Sequence, residues 1–251
     1  MKYVKFLLGL LLGLGVFACN FTEEIHFNED GSGNINIHFD GDELMAMIAS
    51  MQPDSTSQDM AMDSTLVFKD LLEEKKDSIS QLPAEEQAKL KKLEPFSMHV
   101  LMDPETQKMN FRLFSDFKNV AEVNDAFNAF QDASMLTAPQ DGDENSAQPP
   151  MKAQEQTTKV NYEFGGNRFK RTMEIIDQEL FTKSIDSLKS AEMFLSGSKY
   201  TFKYHFPKKV KSTNVEGATF SLDGKTMTYE VDFLQMMKDP EAVILEVELE
   251  D

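Results

Sequence analysis

The chain has no tryptophan, one cysteine and only 5 tyrosines in 251 residues. With one cysteine no internal disulfide can form, so a folded domain must hold through its core and hydrogen bonds alone. Positive charge is scarce as well: 25 Lys and Arg stand against 43 Asp and Glu, a net charge of -18. That balance excludes nucleic-acid binding through phosphate contacts, which need Lys and Arg. It also makes anionic headgroups repel the surface. No apolar run reaches the roughly 20 residues that span a bilayer. No nucleophile elbow, phosphate loop, dinucleotide fingerprint or paired catalytic motif occurs. The acids are plentiful but scattered, so spacing nominates no general acid and base. The expectation is a protein without catalytic residues, metal or cofactor.

What is present begins at the N-terminus. Lys2 and Lys5 precede an apolar stretch from Phe6 to Ala18, which Cys19 closes. A basic start, a short apolar segment and small residues at the cut read as a secretory signal over residues 1–18. Gly9, Gly13 and Gly15 argue against a lasting helical anchor, since each weakens a helix by about 1 kcal/mol relative to Ala. The run Val16-Phe17-Ala18-Cys19 resembles the lipobox of bacterial lipoproteins. Val16 and Ala18 fit that pattern, and Phe17 stands where a smaller residue is usual. The resemblance covers only the first 20 residues or so. It implies that the signal is removed, that the Cys19 thiol is lipidated with chains such as palmitate, and that the membrane is the first partner. Each acyl chain contributes about 0.8 kcal/mol per buried CH₂, and stable anchoring takes more than one. Acylation also removes a free thiol that is a liability outside the cytoplasm. Asn20 is not the Asp that marks inner-membrane retention in enterobacteria, which favours the outer membrane.

Behind Cys19 the sequence alternates. Glu23 to Phe27 and Asn34 to Phe39 carry period-2 patterns around a glycine-rich turn, Glu29-Asp30-Gly31-Ser32-Gly33. Such alternation marks half-buried strands joined as a hairpin. Asp42 is placed to cap a helix through Leu44, Met45, Ile48 and Met51. The order strand, turn, strand, helix then recurs three times. The second copy runs Phe96 to Met102 and Met109 to Phe117, with a helical stripe of Val120, Val123, Phe127 and Phe130. The third runs Lys159 to Phe164 and Arg168 to Ile176, with Asp177 capping a helix that turns Phe181, Ile185, Leu188 and Leu195 inward. The fourth is Ala218 to Leu222 and Thr226 to Val231, then a short helix from Phe233 to Met237 and a last strand from Ala242 to Leu249. Tyr200 to Phe206 is an extra strand.

Two stretches break the pattern. Ser64 to Leu93 reads as one or two helices, with Pro83 opening the second. Residues 136–158 hold Pro139, Gly142, Pro149 and Pro150 among polar residues and read as a disordered loop, with Gln52 to Asp63 a shorter one. The expected fold is α+β: an antiparallel sheet built from repeated strand-turn-strand-helix units, with helices packed on one face. Residues 19–135 form an N-terminal half and 159–251 a C-terminal half, either separate or parts of one continuous domain.

Three groups invite chemistry. Met45, Met47, Met51, Met60 and Met62 cluster, and thioethers suit Cu(I), but Met is also a common gap-filler in cores. His26 and His38 lie on the polar face of the first hairpin, where a long turn would let them meet; two histidines without a third ligand make no metal site. The turn at Asn28 to Gly33 lacks the ligand spacing of a calcium loop. Lys208, Lys209 and Lys211 form a basic run that reads as a solvated turn or as a contact to headgroups. The lipobox, the Gly-Ser-Gly hairpin and the later Leu-Asp-Gly-Lys hairpin together make the chain similar to uncharacterised envelope lipoproteins of Bacteroidota-type bacteria. The expected function is a membrane-anchored, non-catalytic envelope protein that binds an unknown envelope protein or takes part in an assembly. The alternative is a carrier or sensor of an apolar ligand held between sheet and helices.

Overall fold

The computed structural model describes residues 19–51, 61–124, 126–137, 156–189 and 192–251. The expected signal (1–18), most of the central loop and most of the Gln52–Asp63 loop lie outside these residues.

The first hairpin forms as its alternation predicts. β1 (Asn20–Phe27) pairs antiparallel with β2 (Gly33–Asp40). In the turn between them the Asp30 carboxylate accepts from the Ser32 amide at 3.0 Å and the Ser32 hydroxyl at 2.6 Å, which holds its pKa below the usual carboxylate range. These bonds and the left-handed Gly31 (φ 83) close a turn, as the sequence reading required.

β3 (Met62–Val67), β4 (Ser97–Asp103) and β5 (Lys108–Phe117) extend the sheet on the β2 side. β8 (Lys199–His205), β11 (Thr226–Asp232) and the two-residue β10 (Thr219–Phe220) extend it on the other, giving the order β10-β11-β8-β1-β2-β5-β4-β3. Every pair is antiparallel except β1 with β8, which run parallel from Asn20↔Lys199 to His26↔His205. The two halves of the sequence therefore share one sheet, and its central strand is the one that follows Cys19. β6 (Thr158–Gly165), β7 (Arg168–Ile175), β12 (Leu245–Leu249) and β9 (Val210–Thr213) form a second, four-stranded sheet in the order β6-β7-β12-β9.

One face of the large sheet is apolar and covered. Near the start of β1, Phe21 stacks on Phe233 at 4.4 Å and meets Phe130 edge-on at 6.3 Å. These rings come from α8 (Phe233–Lys238) and α5 (Ala126–Thr137). At the far end of β1, Phe27 packs on Phe164 at 4.3 Å and Phe169 at 5.3 Å, both from the second sheet. The α+β class holds, but helices share the cover with a second sheet, and a parallel pair joins the halves.

Several elements differ from expectation for identifiable reasons. Met62 to Val67, read as loop and helix, is the edge strand β3; Leu66 is its one half-buried residue, and its partner β4 decides its state. The rest of that region folds as α2 (Phe68–Glu74), α3 (Lys76–Ile79) and α4 (Ala84–Lys92), with Pro83 just ahead of α4. The stripe Val120-Val123-Phe127-Phe130 is buried throughout. It spans a 3₁₀ turn (Val120–Val123) and α5, broken where Asn124 accepts from the Tyr162 amide at 2.7 Å. Asp177 does cap α6 (Gln178–Leu188), accepting from Leu180 at 2.9 Å. A short α7 (Glu192–Leu195) follows before β8. The last strand starts at Leu245, because Pro240 to Val243 forms a 3₁₀ turn.

Asp42 is the first residue of α1 (Asp42–Met51), and its carboxylate reaches across to β5. It accepts from the Met109 amide at 3.0 Å and Asn110 at 2.9 Å, and it pairs with Lys108. Partial burial raises its pKa, but the bonds from Lys108 and Met109 outweigh this and lower it. A carboxyl lowered on folding stabilises fully above its unfolded pKa and loses that contribution as pH falls through the folded value. Asp42→Asn should therefore lower Tm at pH 6, and the gap to the native chain should close as pH drops below about 4. Thermal melts across pH 3–6 check this; a gap independent of pH would show that the carboxylate charge contributes nothing.

Candidate functional site

The opposite face of the large sheet is open and polar, because each strand sends its alternate side chains there. All 4 histidines of the chain stand on this face. One row across the sheet reads Thr201, Thr22, His38, Arg112, His99 and Thr65. The row two residues away along β1 reads Lys203, Glu24, Asn36, Phe114 and Ser97, and the next reads Thr226, His205, His26, Asn34 and Asp116.

His26 and His38 do not meet. Antiparallel register sets His38 opposite Thr22 and His26 opposite Asn34, and His38 bonds Asn110 at 2.8 Å instead. The partner of His26 is His205 on the parallel strand β8. Their rings stack at 3.7 Å with planes 4° apart. Glu24 Oε1 is shared among three neighbours: His205 Nε2 at 2.8 Å, Lys203 Nζ at 2.9 Å and His26 Nε2 at 3.4 Å. His205 Nδ1 meets Thr226 Oγ1 at 3.0 Å, which orients the second ring. The cluster is accessible: side-chain exposure is 22% for Glu24, 25% for His205 and 45% for His26. Partial burial pushes the Glu24 pKa up, but Lys203 and His205 outweigh it and the net shift is downward. Burial and the neighbouring His205 push His26 down, so its ring is held neutral more firmly than a free histidine.

Directly behind Glu24, on the covered face, Glu23 meets Arg171 of β7. Both side chains have 0% exposure, with Nε to Oε1 at 3.1 Å. Tyr200 donates to Oε2 at 2.8 Å and Tyr204 to Oε1 at 2.6 Å, and the guanidinium lies 4.7 Å from the Phe202 ring centre. This pair locks the two sheets in register and so fixes the backbone that carries Glu24 and His26.

Cys19 sits immediately before β1, 5% exposed, and its amide donates to Ser198 Oγ at 3.1 Å. Burial, then Glu43 and Asp40, push its thiol pKa up to about 11. The basic run is at the other end. Because β8 runs parallel to β1, Lys208 and Lys209 follow the end of the sheet that lies about 25 Å from Cys19, at about 3.3 Å per residue. Lys211 pairs with Glu248 at 2.8 Å in β9. The run thus stands at the end of the sheet opposite Cys19, and β9 is a strand that the basic composition concealed. Of the methionines, Met45 is buried in the core and Met62 is an exposed edge residue; Met60 lies outside the described residues.

His205, Lys203 and Glu24 were not singled out from the sequence. The alternation Lys199-Thr201-Lys203-His205 marks the polar face of β8, but nothing local says which strand lies beside it.

No protein-family profile matches the chain, and no curated protein matches it significantly. Among solved structures it is similar to the NMR structure of the folded domain of Mycobacterium tuberculosis LppM, at 9% identity and a TM-score of 0.40 over 95% of each chain. A likeness that slight carries no function from one chain to the other.

Proposed function

We propose that this is a lipid-anchored envelope protein that binds another envelope protein on the open face of its large sheet. The observation that carries the reading is the junction at Cys19: a lipobox cysteine followed at once by Asn20, the first residue of the central strand. No linker separates the lipid from the fold, so the anchor enters at the middle of an eight-stranded sheet. Residues grouped at that end, including Asp40 to Glu43, Lys199 and α8, would face the bilayer. The polar face then stands across the membrane plane, open to a neighbour from the side. Because the folded thiol is buried and its pKa is raised, acylation belongs before β1 docks on β8 and Ser198.

The role is binding rather than catalysis, and the outer membrane is the expected site. The cleft over the second sheet is lined by Glu163, Arg168, Lys170, Glu246 and Glu248 among others. Phe164, Phe169 and Val247 line it as well, and it lies on the second sheet, away from the sheet–helix groove in which the carrier alternative places its ligand.

The test is metabolic labelling with radioactive palmitate and membrane fractionation of cells carrying the native chain or Cys19→Ala. The native chain should carry label and sediment with outer membranes. The variant should lose the label and leave the membrane fraction. Equal labelling, or equal sedimentation of both, would remove the lipid anchor from the reading.

A further inference from the structure

The geometry points to a divalent transition-metal site at Glu24, His26 and His205, a further activity that does not depend on lipid anchoring. His26 and His38 alone lacked a third ligand. The parallel pairing of β1 with β8 supplies both a different second histidine and the carboxylate. The three candidate donor atoms lie within 4.8 Å of one another.

Distances favour an ion of the size of Zn²⁺. Metal–nitrogen and metal–oxygen bonds of about 2.0–2.1 Å place tetrahedral donors about 3.3 Å apart. The two carboxylate–imidazole separations are already 2.8 and 3.4 Å, and binding requires the two stacked rings to rotate apart so that both nitrogen lone pairs converge on the ion. The donors come from adjacent paired strands, which hold their Cα positions without a flexible loop. Two imidazoles with one carboxylate suit borderline ions such as Zn²⁺ and disfavour Mg²⁺ and Ca²⁺, which take oxygen ligands. Two further features fit a coordination site. Thr226 contacts the far nitrogen of His205, the outer partner that orients a ligating histidine. Asn36, opposite Glu24, keeps a buried side-chain oxygen with no hydrogen-bond partner among the described residues.

Lys203 stands against the ion. Its ammonium holds Glu24 at 2.9 Å, so it competes for the same oxygen and repels a dication. This gives the site a signature that a chance cluster of surface histidines lacks: Lys203→Gln should tighten binding.

The experiment is titration of the full-length chain in detergent, without a polyhistidine tag, with ZnCl₂ at pH 7.5 by calorimetry. One Zn²⁺ per chain is expected. His26→Gln and His205→Gln should each weaken it on the order of 100-fold, at least the loss seen when an outer partner of a metal ligand is removed. His38→Gln and His99→Gln should leave it unchanged, and Lys203→Gln should strengthen it by at least threefold. Circular dichroism confirms folding of each variant. The inference is overturned if the native chain takes up no stoichiometric Zn²⁺. It is equally overturned if the His38 or His99 variants lose as much as the other two, or if Lys203→Gln weakens binding.

Discussion

Arg171→Met is expected to destabilise the fold by about 3–5 kcal/mol, the cost of leaving a buried charge without its partner. Glu23 lies at the centre of the inter-sheet core with no access to water. Its two oxygens receive Arg171 Nε at 3.1 and 3.4 Å, Arg171 Nη2 at 3.2 Å and the two tyrosine hydroxyls. Removing the guanidinium strands the carboxylate in an apolar surround. Against Arg171 itself, burial alone would lower its pKa, but Glu23 outweighs this and its proton is held more tightly than usual.

The same cluster gives graded controls. Tyr200→Phe and Tyr204→Phe each remove one donor to a charged group and should cost about 1.5–3 kcal/mol. Tyr162 is equally buried, but its hydroxyl makes no hydrogen bond of good geometry, so Tyr162→Phe should be within about 0.5 kcal/mol of native. The double variant Glu23→Leu with Arg171→Met should recover most of the loss, since a buried pair is often replaceable by well-packed apolar residues. Denaturant midpoints with an unchanged m-value measure each step. An Arg171→Met protein within 1 kcal/mol of native would mean that the two sheets do not meet around this pair.

Gly33→Ala should be nearly as damaging. A Cβ built there falls 1.9 Å from the backbone oxygen of His26 and 2.7 Å from the Phe117 ring. A backbone oxygen cannot swing aside like a flexible side chain, so β1 and β2 must separate at the turn. The expected cost is on the order of 3 kcal/mol, at the upper end of overpacking effects. Gly31→Ala, two residues earlier, meets open space and pays only for its left-handed backbone (φ 83), about 1 kcal/mol. Chemical denaturation of the pair decides it. If Gly31→Ala proves the more harmful, the close approach at Gly33 is not what holds the hairpin end.

Much of this was legible residue by residue. Ile25 and Phe27 alternate with polar neighbours, and β1 follows. The same parity puts Glu23 on the apolar face, two residues before Ile25, and puts Arg171 between Phe169 and Met173. A charged residue in phase with core residues is a signal for a buried ion pair, and it was present in both strands. What alternation cannot say is that the two charges face each other, because they belong to different sheets and meet only when the sheets pack. The histidine cluster was less accessible still. His26 had a visible candidate in His38 on the neighbouring strand, and a hairpin register of a different length would have joined them.

By itself the sequence determined the strands of the four hairpins and most of the helices, and it carries the expectations of a lipidated Cys19 and of no nucleic-acid partner. Each of these depends on local order: a short motif, net charge, a period of two or a period near 3.6. Tertiary structure alone decided that β1 pairs in parallel with β8, that a second sheet covers the first, and that Glu24, His26 and His205 converge. A strand's side-chain pattern specifies which face is buried. It does not specify the neighbour, because any strand with a matching apolar face can supply the same backbone hydrogen bonds.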